Sequence, residues 1–187
     1  MRLLYALVAS LVLICGASAK EEAPPVATAA EQRDGLVLNG EATRSVWGFE
    51  VYKIRLYLHE IMRDAEQIMG AKSDPKRIEI TMVRSVDEEQ FSSTVQDNID
   101  HNFSAAEKEK FGGQLTEFLG CFNKGADLEP GNVITIDYTP DEGTVVKLDG
   151  RTLDTIPGAD FYHALLRLWI GKPLQKSIKD DLVGAAG

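Results

Sequence analysis

The order of strand-like and helix-like segments is the feature that most limits the fold of this chain. Alternating apolar residues typical of strands lie in two groups, at 35–84 and 132–156, and two helical patterns separate the groups while two more follow them. A doubly wound parallel sheet needs a helix between successive strands, so this order excludes it. We therefore predict an α+β fold in which an antiparallel β-sheet carries a layer of helices on one face.

Local signals place the boundaries of these elements. An Asn39-Gly40 pair ends the first strand and predicts a hairpin there. Asp87 is a predicted N-cap, and Ser104 with Glu107 forms a predicted capping box. The predicted strands are 35–40, 47–58, 77–84, 132–140, 145–150 and 151–156; the predicted helices are 88–102, 104–122, 159–171 and 175–184, with a short helix or loop at 65–74.

The N-terminus has the pattern of a secretory signal peptide. Arg2 precedes an apolar run, Leu3–Ile14, and Ala17–Ala19 fits a small-x-small cleavage site. We therefore expect an exported protein, which is periplasmic if the source is Gram-negative and secreted otherwise. A lipoprotein, cleaved before Cys15, is the alternative. The predicted organisation is a signal peptide at 1–19, a disordered lead-in at 20–34 and one domain at 35–187.

Charge and composition limit the partners of the chain. The formal net charge of −9 and the lack of a basic patch disfavour nucleic acid, because phosphate backbones repel an acidic surface. After signal cleavage no apolar run is long enough to span a bilayer, so we expect no stable membrane insertion. Cys121 is then the remaining cysteine, and its apolar helical setting predicts a buried thiol.

Neither a cofactor nor a metal is predicted. The three histidines, His59, His101 and His163, are scattered over different segments. Asp97 with His101, or Asp160 with His163, could supply two ligands, but a third and a fourth are not evident. A nucleophile elbow and a phosphate-binding glycine loop are both missing from the sequence.

Two polar side chains share the apolar face of a predicted strand within 40–60. Arg44 and Tyr52 are eight residues apart, so they point the same way if Gly48 does not bulge the strand, and Ile54 lies on that face as well. Convergent polar groups on an apolar floor are typical of a ligand pocket. The alternative is an edge arginine paired with a nearby glutamate and a tyrosine at the rim of the core. Arg84 either lines the same cleft or pairs with a carboxylate at the start of the next helix.

Three segments together resemble one family. "GEATRSVWGFEVYKIRLYL", "RSVDEEQFSSTVQDNI" and "PGADFYHALLRLWIGKPLQKSIKDDLVG" are similar to the bacterial chalcone isomerase-like family, in the order that the family has them. The resemblance implies an antiparallel sheet, a helical layer against one face and a ligand cleft between them. The plant enzymes of this fold close an unsaturated ketone onto a neighbouring phenolate, and related proteins bind fatty acids without chemistry.

The resemblance also implies site positions. The enzymes use an arginine, a threonine, a tyrosine, an asparagine and a late hydroxyl residue; these positions hold, in that order, Arg44, Tyr52, Phe91, Asn98 and Leu168. The cation and the amide are therefore kept, while two hydroxyls are replaced by apolar side chains. Loss of one donor to a developing oxyanion lowers the rate by about 10²–10³. The resemblance therefore argues against efficient chalcone cyclisation.

Three functions follow as hypotheses. The first is a non-catalytic binder of a small amphipathic or aromatic ligand, above all an anion such as a fatty acid, with Arg44 and Tyr52 on its charged end. The second is an isomerase, an intramolecular lyase acting on an unknown enone, in which Arg44, Tyr52 and Asn98 do the chemistry. The third is an interaction module whose cleft is filled by Trp47, Phe91 and Trp169.

Overall fold

A computed structural model of the chain describes residues 32–123 and 127–184. The predicted signal peptide, with Cys15, and most of the predicted lead-in lie outside the described residues. Export therefore stays a prediction. The first described residues, Gln32–Arg33, already pair with the next strand of the sheet.

One antiparallel sheet forms the framework of the described part of the chain. Its strands follow one another in chain order, so each strand pairs with its neighbours in sequence. The strands are β1 (Gln32–Arg33), β2 (Leu36–Val46), β3 (Phe49–Leu58), β4 (Lys76–Met82), β5 (Val133–Thr139), β6 (Gly143–Leu148) and β7 (Arg151–Ile156). The predicted α+β class with an antiparallel sheet is confirmed.

Helices fill the connections after β3 and β4 and the segment after β7. They are α1 (Ala65–Gly70), α2 (Glu88–Asn102), α3 (Ala105–Lys110), α4 (Gly112–Gly120), α5 (Ala159–Ile170) and α6 (Lys176–Val183). Asp87 caps α2 by accepting from the Gln90 amide at 2.7 Å, and the predicted capping box of Ser104 and Glu107 is present. The helix predicted at 104–122 is divided at Phe111, because two glycines of low helical propensity follow that residue.

The stretch 40–60 forms a hairpin rather than the single strand that its pattern predicted. β2 and β3 are joined by Trp47 and Gly48, whose φ angles of 54° and 81° are those of a type I′ turn. The hairpin predicted at Asn39-Gly40 is wrong, since β2 continues through that pair with only a bulge in its register. The Asn39 side chain is buried and donates to the Leu182 carbonyl at 2.8 Å, so it anchors the C-terminal helix instead of turning the chain.

The two faces of the sheet differ in chemistry. The face under the helices is apolar, with fully buried Ile54, Ile78 and Ile136 on three adjacent strands. The opposite face carries cross-strand ion pairs, among them Arg77 with Asp137 at 2.5 Å. Paired charges satisfy one another on this face, where Glu79 and Asp137 are buried.

Helix α6 lies unusually close to β2. A Cβ added at Gly40 would lie 2.4 Å from the carbonyl oxygens of Asp181 and Leu182, a distance that backbone atoms do not tolerate. Glycine is therefore required at position 40 by the approach of the helix. This contact, together with the Asn39 bond, fixes the C-terminal segment on the first long strand.

We predict that Gly40→Ala lowers the free energy of unfolding by about 1–3 kcal/mol, because α6 must move away from β2 to admit the methyl group. Urea unfolding followed by circular dichroism measures this. Gly113→Ala is the matched control: it lies in α4 with open space around it, and should stabilise the protein by up to about 1 kcal/mol. Equal stability of Gly40→Ala and the wild type would contradict the close docking of α6.

Candidate functional site

Arg44 and Tyr52 lie directly opposite each other on β2 and β3. Both side chains line a cleft of about 310 Å³ between the β2–β3 hairpin, the end of β4 and the first turns of α2. The sequence analysis placed them on one face as residues of one strand. The structure does bring them together on one face, but as a cross-strand pair.

Gln175 holds the Arg44 guanidinium in place. The Gln175 Oε1 atom accepts from Arg44 at 3.2 Å and from the Ser45 amide at 3.0 Å, while its Nε2 atom donates to the Thr43 carbonyl at 3.0 Å. Arg44 has five N–H donors, so this single bond orients the group and leaves donors for a ligand. The expected alternative, an ion pair with Glu41 or Glu50, is not formed.

Tyr52 is half-buried on the floor of the cleft. Burial raises the pKa of its phenol to about 12, although the nearby Arg44 charge acts in the opposite direction. The phenol is therefore a neutral hydrogen-bond donor at physiological pH. Within the ranges 32–123 and 127–184, no group forms a hydrogen bond with its hydroxyl, which leaves that donor available.

The remaining predicted site residues meet in a second space below the cleft. Phe91 and Asn98 from α2, Leu168 from α5 and Tyr52 line a small void of about 30 Å³ under the helices. Tyr52 and Phe91 line both spaces, so the cleft and the void adjoin. All five residues taken from the family resemblance thus line one or both of two neighbouring spaces.

Asn98 is already engaged inside the protein. Its Nδ2 atom donates to the Leu168 carbonyl at 3.3 Å, and Asn102 donates to its Oδ1 atom at 3.3 Å. The first of these bonds connects α2 with α5, and the second lies within α2. The amide therefore has a structural use in this conformation, and Arg44 and Tyr52 are the polar groups that face the larger space.

Arg84 is a second cation on the cleft. It lines the same space as Arg44, and its guanidinium lies 4.8 Å from the centre of the Phe49 ring, a cation–π contact. The expected ion pair with Asp87 or Glu88 is absent from the structure. Among the described residues, those that line the cleft include two arginines and no carboxylate. The cleft is thus locally positive on a chain whose net charge is −9.

The large aromatic side chains do not fill the cleft. Trp47 is 94% exposed at the hairpin turn and points away from the core. Phe91 and Trp169 are buried and line the small void. The larger space beside Arg44 therefore stays open, which weakens the hypothesis of a filled cleft.

The candidate metal pair of Asp160 and His163 is used in other ways. Asp160 forms ion pairs with Lys72 at 2.7 Å and with Lys110 at 3.3 Å. The Nδ1 atom of buried His163 lies 2.6 Å from the Ala159 carbonyl. The described part of the chain contains no group of three or more potential metal-ligating side chains.

Gln175 is the site residue that sequence reasoning missed. It lies about 130 positions from the strand that it contacts, before a helix whose start carries no capping signal. Its only sequence signal is its place inside the third segment that resembles the family. Its role depends on how α6 docks on β2, which local patterns do not reveal.

Comparison with known proteins agrees with this fold. A solved structure of a fatty-acid binding protein from Arabidopsis thaliana superimposes with a TM-score of 0.60, covering 83% of this chain and 90% of that one at 17% sequence identity. At this identity the likeness shows a shared fold. No match was found among curated proteins.

The sequence profile described as chalcone isomerase-like matches residues 20–184, which is most of the chain and includes every strand and helix described above. The chalcone isomerase-like family expected from the three similar segments is thereby confirmed, while a bacterial origin stays a prediction. This chain belongs to the chalcone isomerase-like family.

Proposed function

We propose that this protein is an exported, non-catalytic binder of a small amphipathic anion such as a fatty acid. The observation that carries the proposal is the pairing of Arg44 with an unengaged Tyr52 hydroxyl in an open cleft. A cation and a neutral phenol side by side match the two oxygens of a carboxylate. The second arginine on the cleft and the absence of a lining carboxylate among the described residues support the same ligand charge.

The energetics of such a contact favour binding. A guanidinium can donate two parallel hydrogen bonds to a carboxylate, and a charged hydrogen bond contributes about 1.5–3 kcal/mol net. The bond from Gln175 already fixes the orientation of Arg44, so less side-chain freedom is lost when the ligand arrives. Binding of the charged end is therefore preorganised in the free protein.

The cleft has apolar walls for the apolar part of the ligand, but its volume limits the length of the acyl chain. Val51, Val86 and Phe91 give the cleft apolar walls, and each buried methylene contributes about 0.8 kcal/mol. A volume of about 310 Å³ lies at the lower end of the range of ligand pockets, which is about 300–1,000 Å³. A short chain fits the open cleft, whereas a longer one has to displace Phe91 to reach the void below.

Known proteins lend some support to this reading. The Arabidopsis protein of the same fold is a fatty-acid binding protein. We infer a ligand of the same broad class for this chain from its own Arg44 and Tyr52. The shared fold supports this inference. Export, with a periplasmic location if the source is Gram-negative, and the absence of nucleic-acid partners belong to the proposal on the sequence grounds given above.

The site is poorly equipped for the isomerase reaction. Phe91 and Leu168 provide no hydroxyl, and the Asn98 amide is bonded to the Leu168 carbonyl. Each missing donor to a developing oxyanion lowers the rate by about 10²–10³. These observations favour binding without chemistry over the alternative of an intramolecular lyase.

We predict that Arg44→Ala weakens binding of a medium-chain fatty acid by about 10- to 150-fold, because a charged hydrogen bond to the carboxylate is lost. Isothermal titration calorimetry measures this directly, and mass spectrometry of the purified wild type identifies a copurified lipid. The matched control is Arg55→Ala, the same substitution on β3 but on the opposite face of the sheet, which should leave the affinity unchanged.

Comparison with the methyl ester of the same acid separates the contribution of the carboxylate charge to binding from that of the acyl chain. The ester should bind the wild type about as weakly as the acid binds Arg44→Ala, and Arg44→Ala should no longer distinguish the two ligands. An Arg44→Ala variant that retains wild-type affinity for the acid would overturn the proposed function.

We also predict that acid affinity is constant from pH 7 to pH 10 and declines as the pH approaches 12. The reason is that Tyr52, with its pKa raised to about 12 by burial, keeps its proton and remains a donor until then, whereas an ordinary tyrosine would ionise near pH 10 and repel the carboxylate. Tyr52→Phe should weaken binding of the acid at pH 8. The affinity of this variant should then show no decline from phenol ionisation as the pH approaches 12. An affinity that falls between pH 8 and pH 10 in the wild type alone would contradict the buried, neutral phenol.

A spectroscopic screen of chalcones tests the alternative function. We expect no cyclisation above the uncatalysed rate, because two of the hydroxyl positions are apolar. Turnover that disappears in Arg44→Ala would establish the isomerase instead.

A further inference from the structure

The turn of the β2–β3 hairpin exposes an unusual amount of apolar surface. Trp47 is 94% exposed and Phe49 is 58% exposed. Val46, which pairs with Phe49 across the turn, is 39% exposed, and Val83, directly after the adjacent strand β4, is 38% exposed. We refer to Val46, Trp47, Phe49 and Val83 as the apolar tip. Single exposed apolar residues are ordinary, but a contiguous exposed group that includes two aromatic rings marks an interaction site.

The backbone makes the tryptophan more unusual. Trp47 has a φ of 54°, a left-handed conformation that a bulky side chain seldom adopts, and Gly48 follows with a φ of 81°. Asparagine and aspartate are the residues that type I′ turns favour at this position. The chain thus holds a large apolar ring at a position where a small polar residue would be more stable, and strain of this kind is concentrated at functional sites.

The apolar tip also forms the mouth of the cleft. Val46, Trp47 and Phe49 line the same space as Arg44, and Arg84 lies with its guanidinium against the Phe49 ring. An aromatic pair flanked by an arginine suits the headgroup level of a bilayer, where the rings contact acyl carbons and the cation contacts lipid phosphate. Zwitterionic and anionic phospholipids both offer that phosphate.

We propose that the apolar tip inserts into the interface of a lipid bilayer, and that the cleft exchanges its amphipathic ligand with the bilayer there. The docking step rests on the exposed tip alone, whereas the exchange step rests on the proposed function. The proposed contact is peripheral, because it is made by side chains at a turn. Among the described helices, none has the length and apolarity to cross a membrane.

A bilayer fits the tip better than a second protein does. A stable protein–protein interface buries about 800 Å² on each partner, over some 20–30 residues. The tip is three side chains at a two-residue turn and a fourth directly after the adjacent strand β4, which is a small surface. A fluid interface adapts to such a protrusion, whereas a protein partner would need a matching pocket and additional contacts.

The test compares the wild type with Trp47→Asn on phosphatidylcholine vesicles without fatty acid. We expect Trp47→Asn to bind vesicles about tenfold more weakly, because the exposed indole would supply much of the apolar area that enters the bilayer. The same variant should be at least as stable as the wild type to urea, since Asn-Gly is the preferred pair in a type I′ turn. Loss of vesicle binding then cannot come from unfolding.

Ile61→Asn is the matched control. Ile61 is 44% exposed and follows the other end of β3, far from the hairpin turn. The same substitution there should leave vesicle binding unchanged. All three proteins are compared in the same processed form, so any contribution of the N-terminal segment is common to them.

Fluorescence gives a second measurement at the site itself. Brominated phosphatidylcholine should quench the emission of wild-type Trp47, while Trp169, which is only 6% exposed, should be protected. The quenched component should be missing in Trp47→Asn. Its absence from the wild type, or equal vesicle binding by the wild type and Trp47→Asn, would overturn the proposal.

Gel filtration tests whether the apolar tip contacts a second copy of the protein instead of lipid. A wild-type dimer that becomes a monomer in Trp47→Asn, with vesicle binding unaffected, would show that the tip contacts a second copy and would overturn docking on lipid. Because vesicle binding is measured without ligand, it is independent of the Arg44 experiments. Docking that persists when fatty-acid binding fails would refute the proposed function alone.

Discussion

The candidate site depends on the attachment of α6 to β2. Asn39 donates to the Leu182 carbonyl, and Gly40 lets the backbone of the helix approach its strand. With the helix fixed there, the preceding Gln175 reaches Thr43, Ser45 and Arg44. One contact between the first long strand and the last helix thus closes the helical layer and also orients the cation that faces the cleft.

Much of the fold could be predicted from local sequence signals. The caps at Asp87 and Ser104 have clear chemistry, and the order of strands and helices excludes a parallel sheet. The β2–β3 hairpin could not be predicted, because its turn begins with Trp47, a residue that normally signals a strand. The Asn39-Gly40 pair predicted a turn that does not form, because the Asn39 side chain is bonded to the distant Leu182 carbonyl and β2 continues through the pair.

The site could be predicted only in part, because packing between distant segments brings several of its residues together. Spacing placed Arg44 and Tyr52 on one face, and the turn at Gly48 preserves that result by making them cross-strand partners. Phe91, Asn98 and Leu168 came from the family resemblance, and they meet only because α2 and α5 pack together over the sheet. Gln175 depends on the docking of α6, which is a tertiary effect without a local pattern.

Burial of Tyr52 decides which chemistry the cleft favours. Desolvation raises the pKa of the phenol because it disfavours the phenolate, and the single Arg44 charge does not reverse this. A group that keeps its proton at neutral pH donates a hydrogen bond well but accepts a proton poorly. Phe91 and Leu168 also bring no hydroxyl to the space below. Both features support the proposed binding of a preformed anion over its generation from a neutral substrate.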